Sequence, residues 1–225
     1  MSLQPFVAIR NWWTQTFNRF ASLPFLFILI GIEVYFYING KAHFSNWDSS
    51  YGHLIQAYLI MTIIFLLWAG RNTQEQLRKP LKDSVLAFVM FFIGTYIILL
   101  LVSATGFLKV GSPLSHELFW PTVIVQVCVV ATAEELMFRG VILELMGVII
   151  SAIVFAAWHM YAYQIIWYQA NFASMNWGAV IFAFVMGLIL ALVAKRKEWG
   201  LPATIGIHAS YNLFVAGAFV SASLM

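Results

Sequence analysis

Glu134 and Glu135 stand side by side in the run Ala133-Glu134-Glu135-Leu136-Met137-Phe138-Arg139-Gly140, with Arg139 four residues after the second acid. Two later segments add Phe155-x-x-x-His159 and His208-x-x-x-Asn212. Carboxylates and imidazoles move protons onto and off water, and amide or imidazole donors hold a developing oxyanion. The surroundings make the set informative, because each segment is otherwise apolar. An ionised group in hydrocarbon costs from about 2.5 to over 10 kcal/mol, so an intramembrane ionisable cluster marks a functional site by default. The plainer alternatives are a structural ion network for Glu134, Glu135 and Arg139, and a hydrogen-bonded core role for either histidine.

The elements that must position these residues are membrane spans. The chain has 225 residues, 62% hydrophobic and 9% charged, with a mean hydropathy of +0.86. A soluble domain carries about 25% charged residues. No soluble core hides so much apolar surface, so the bilayer is the solvent, and about 20 residues per span allow six to eight helices. The pattern predicts an all-α, polytopic bundle of about seven spans, roughly Phe20–Tyr37, Leu54–Gly70, Val85–Ser103, Trp120–Leu145, Val148–Trp167, Trp177–Ala194 and Leu201–Val220. The net charge of +3 carries no nucleic-acid signal. Lone Cys128 cannot form an intrachain disulfide and reads as a small buried hydrophobe.

Basic residues set the orientation. A cytoplasmic N-terminus places Arg10, Arg19, Arg71, Arg78, Lys79, Lys82, Arg139, Lys195, Arg196 and Lys197 on the inside, and only Lys41 and Lys109 outside. Without Arg139, which falls within a helix, the split is nine to two. His43, His53 and His116 fall in outer loops or at span ends. Gln126 is positioned to hydrogen-bond across helices, and Glu33 inside the first span reads as facing another helix.

The fourth and fifth spans form a hairpin. The apolar pattern continues past Glu134 without a breaker until Met146-Gly147. A turn there puts Glu134 and His159 each about 18 Å above it, at 1.5 Å per residue. His208 and Asn212 lie about 10 and 16 Å into the seventh span, so three segments bring polar residues to similar depths. Glu135 and Arg139 share a helix face and can pair. Glu134 lies about 100° round the helix and remains available as a general base.

These residues resemble, in order, the three motifs of the CAAX-protease and bacteriocin-processing (CPBP, or Abi) family of intramembrane proteases, to which the eukaryotic CAAX prenyl endopeptidase belongs. The resemblance covers roughly Pro121 to Ala216, and no motif position departs from the pattern. Residues 1–115, with three spans, carry no signature; residues 116–225 would hold the catalytic core of a single transmembrane domain spanning 1–225. The resemblance implies that Glu134 activates a water, with His159 orienting it or sharing its proton. His208 and Asn212 would stabilise the oxyanion. Glu135 and Arg139 would support the first motif, and Phe155 would wall the cavity. The family is labelled metalloprotease, while a metal-free glutamate mechanism is also argued for it. Glu134, His159 and His208 offer a His₂Glu set for zinc, yet no His-Glu-x-x-His motif is present, which favours glutamate chemistry without a certain cofactor.

The expected function is an endopeptidase acting on a membrane-associated or lipidated protein or peptide, in the cytoplasmic membrane of a prokaryote. A proton- or ion-coupled transporter is disfavoured because the first three spans hold no matching polar set. A non-catalytic bacteriocin-immunity-type protein is disfavoured by the intact motifs.

Overall fold

The computed structural model describes residues 27–40, 49–69, 81–106, 116–167, 177–196 and 200–215. These residues are helical, with no strand among them. Helix α1 spans Phe27–Gly40, α2 Ser49–Ala69, α3 Leu81–Ala104, α6 Trp177–Ala194 and α7 Gly200–Val215. Between them run α4, residues 116–146, and α5, residues 148–167. They are one helical segment interrupted at Gly147.

Among the described residues, three helices are long and apolar enough to cross a membrane: Asp83–Ala104, Trp120–Met160 and Trp177–Ala194; Phe27–Gly40 and Leu54–Trp68 are shorter apolar helices. Their outer faces carry unburied side chains such as Ile97, Leu101, Ile149, Ile181 and Leu192. Only hydrocarbon accommodates such faces without loss, and a helix pairs its interior backbone groups within itself, as a span requires. The chain is an integral membrane protein. Of the basic residues behind the orientation, Arg10, Arg19, Lys41, Arg71, Arg78, Lys79, Lys109 and Lys197 lie outside the described residues, as does His43. The side chains of Lys82, His53 and His116 lie outside them as well.

The hairpin turns where the sequence places it. Gly147 has φ 82° and ψ −179°, a region open essentially to glycine alone. A Cβ there would meet nothing within 4 Å, so a substitution acts through backbone strain alone. Gly147→Ala is therefore expected to cost about 1–3 kcal/mol, read as a lowered thermal midpoint in detergent.

Helix α4 is not α-helical throughout, which the apolar pattern does not reveal. Val125–Ala131 and Leu136–Ile142 are π-helical, and they flank the short α-helical stretch Thr132–Glu135. The wider turns are anchored at two carbonyls. Val127 O accepts the backbone N–H of Thr132 and its Oγ1 at 2.6 Å. Phe138 O accepts the Leu143 N–H and, across the hairpin, the buried Ser151 hydroxyl at 2.7 Å. Such π segments recur at functional sites.

Packing brings α2 and α7 against the middle of α4, while α3 runs along α7 and α6 along α5. The α3–α7 crossing is close. A Cβ on Gly206 would stand 2.6 Å from Phe88 O and 3.2 Å from Phe92 N, so only a glycine permits the approach. The central core joins Phe36, Leu54, Ile55, Tyr58, Met61, Val129, Phe138, Phe155 and Ala183 from several helices. Glu33 is fully buried and faces α2, where Thr62 Oγ1 donates to its Oε1 at 2.7 Å. Cys128 is only partly buried, and Gln126 makes no cross-helix hydrogen bond among the described residues.

Candidate active site

Glu134 and Glu135 leave α4 in different directions, as their helical phase requires. Glu135 Oε1 is 3.2 Å from Arg139 NH1, both side chains having 0% exposure. The same oxygen is 2.9 Å from His208 Nδ1. An ionised carboxylate only accepts hydrogen bonds, so Nδ1 carries the proton in this contact. Arg139 is held further by Gly187 O on α6, 3.5 Å from NH2. Its guanidinium carbon also lies 4.1 Å from the Phe155 ring centroid, within cation–π range.

Glu134 is almost completely buried. Its Oε1 accepts Tyr58 OH at 3.1 Å and Trp158 Nε1 at 2.9 Å. Its Oε2 makes no hydrogen bond among the described residues and faces His208 Nε2 at 3.7 Å, too far for a direct bond. The imidazole of His208 thus stands between the two acids, one nitrogen toward each. If both nitrogens are protonated, two carboxylates meet one guanidinium and one imidazolium, and the buried cluster is neutral overall.

His159 lies on α5, where its Nδ1 is 2.9 Å from the Phe155 carbonyl. A carbonyl accepts only, so Nδ1 donates and the neutral ring presents Nε2 as an acceptor. Phe155 packs between the histidines, with its centroid 4.4 Å from that of His159 and 5.7 Å from that of His208. The phenyl ring therefore fixes both imidazoles and the guanidinium at once. Asn212 is one helical turn past His208 on α7, partly buried, and makes no hydrogen bond among the described residues. The structure thus brings Glu134, Glu135, Arg139, Phe155, His159 and His208 together and sets Asn212 beside them without a bond.

Tyr58 and Trp158 escape a reading of the sequence, since neither belongs to a charged or spaced motif. A buried phenol or indole needs a partner for its polar atom, and that demand was the available signal.

Glu134, His159 and His208 offer donor types suited to zinc, and a Nδ1 hydrogen bond commonly orients a ligating histidine. Yet no group of three or more His, Cys, Asp or Glu side chains among the described residues is arranged to hold a metal ion.

Residues 116–214 match the family model of Rce1-like proteins, type II CAAX prenyl endopeptidases. Over these residues the chain is similar to that family. The match begins at the first residue of α4 and ends one residue short of the end of α7, so it takes in all three motifs. The resemblance to the CAAX-protease and bacteriocin-processing family holds over this part of the chain. The family that this region resembles is one of prenyl endopeptidases. No curated protein and no solved structure was found to match the chain.

Proposed function

We propose that the protein hydrolyses a peptide bond in a membrane-associated or lipidated substrate, with Glu134 as general base and no metal. The observation that carries this reading is the unequal state of the Glu134 oxygens: Oε1 takes two donors, while Oε2 is buried without one beside His208.

Glu134 Oε2 takes a proton from water as the water oxygen bonds to the scissile carbonyl carbon. His159 Nε2 accepts the second water hydrogen and holds the attacking oxygen in line. The carbonyl oxygen becomes an oxyanion, stabilised by His208 Nε2–H and the Asn212 amide, donors worth most in a dry site. Collapse of the tetrahedral species breaks the C–N bond, and the proton on Glu134 passes to the leaving nitrogen. His208 donates from Nε2 only as an imidazolium, because Nδ1–H is committed to Glu135. The chain crosses the bilayer about seven times with its N-terminus in the cytoplasm, and the site opens toward that side. Integration in a prokaryotic cytoplasmic membrane fits its few appended loops.

The name of the matched family directs the first substrate choice to peptides ending in a prenylated cysteine motif. In reconstituted vesicles, the wild-type protein is expected to release the residues beyond the prenylcysteine, detected by mass spectrometry. Turnover should persist after treatment with a strong chelator. Stoichiometric zinc whose removal abolishes turnover would reject the metal-free base. Failure on the prenylated peptide, with cleavage of a leader or sorting-signal peptide in the same panel, would redirect the substrate class and leave the chemistry standing.

A further inference from the structure

The two donors that hold Glu134 both lie outside the three motifs. Tyr58 sits on α2, ahead of residue 116 where the family match begins. Trp158 precedes His159 on α5. Their rings pack edge to face with centroids 5.7 Å apart, so each donor is braced by the other. The surroundings of Tyr58 are apolar, including Leu54, Ile55, Met61 and Val129, and its hydroxyl is satisfied by Glu134.

We infer that Tyr58, with Trp158, is a positioning residue for Glu134, fixing Oε1 so that Oε2 is the oxygen that takes the proton from water. This rests on the reading of Glu134 as base. The last torsion of a glutamate is soft and roughly two-fold, so an untethered carboxylate would present either oxygen over a range of angles. Two donors on one oxygen, at 3.1 and 2.9 Å, remove that freedom. Misplacement by about 1 Å can cost 10²-fold in rate, so the tether belongs to the catalytic apparatus although it touches neither water nor substrate. The N-terminal helices, which carry no motif, thereby become part of the working site.

Tyr58→Phe keeps the ring and its packing on Trp158 and deletes one oxygen. In the full-length protein it is expected to lower kcat by about 10- to 100-fold with KM unchanged. The carboxylate stretching band of Glu134, assigned by its disappearance in Glu134→Gln, should shift in the infrared difference spectrum. Trp158→Phe should act in the same direction. Wild-type kcat in Tyr58→Phe would overturn the assignment, as would lost activity with an unshifted carboxylate band, which marks a packing effect. Retained turnover in Glu134→Gln is a different result: it would remove the base itself, whatever Tyr58→Phe shows.

Discussion

Glu134→Gln is expected to abolish peptide cleavage while leaving the protein folded in the membrane. The substitution preserves side-chain volume, and the amide oxygen can still accept from Tyr58 OH and Trp158 Nε1, which stand 3.1 and 2.9 Å from Oε1 in the wild type. The other end changes. Where Oε2 faces His208 Nε2, the variant carries an NH₂ group that cannot accept a proton. Loss of a general base costs about 10²–10⁴-fold. The drop should appear in single-turnover rates as well as kcat, because it acts on the chemical step. Thermal unfolding followed by tryptophan fluorescence should give a midpoint close to that of the wild type. Turnover within about tenfold of wild type would sink the assignment and favour a purely structural role for the cluster.

Arg139→Met has the opposite signature, a collapse of stability. Arg139 and Glu135 are both fully buried and joined at 3.2 Å. Removing the cation leaves Glu135 with His208 Nδ1–H as its remaining partner and without its guanidinium, and breaking such a buried pair costs about 3–5 kcal/mol. Against a total stability of about 5–15 kcal/mol, that loss lowers the yield of folded protein and the thermal midpoint sharply. Pairing it with Glu135→Gln removes both charges and should restore much of the midpoint, since replacing a whole buried pair is often neutral. Activity should not return, because His208 Nδ1 then lacks the carboxylate now 2.9 Å away. A wild-type midpoint in Arg139→Met would show that the pair carries no structural load. Together the two experiments separate the acids: one does chemistry, and the other holds the imidazole.

The separate directions of Glu134 and Glu135 were legible in the sequence because a helix converts spacing into direction. A separation of four residues puts Arg139 under Glu135, and a separation of one turns Glu134 away. The turn at Gly147 was legible too, as the first residue after a long unbroken apolar run that can take up a positive φ. The tether on Glu134 was not. Tyr58 lies 76 residues from its partner, and nothing in α2 distinguishes it from a lipid-facing aromatic until the helices pack. Zinc ligation shows the converse limit: Glu134, His159 and His208 have suitable donor types, but donor type says nothing of convergence, and among the described residues no group of three such side chains is arranged for a metal ion. Gln126 shows the same limit, its amide having no cross-helix hydrogen bond among the described residues. The π-helical stretches left no mark either, since Val125–Ala131 reads as ordinary apolar helix.

Those stretches give the site a tolerance for a change in the number of residues. Each residue added to or removed from a helix rotates everything beyond it by about 100°. The widened turn of Val125–Ala131 absorbs part of such a rotation just before Glu134. Deleting one valine there lets the turn tighten to ordinary α-helix and leaves Glu134 directed at Tyr58 and His208, because the tightening takes up the missing residue. A homologous chain one residue shorter in this stretch keeps the site as well as the motifs, whereas the same deletion within the α-helical Thr132–Glu135 turns the acids off their partners.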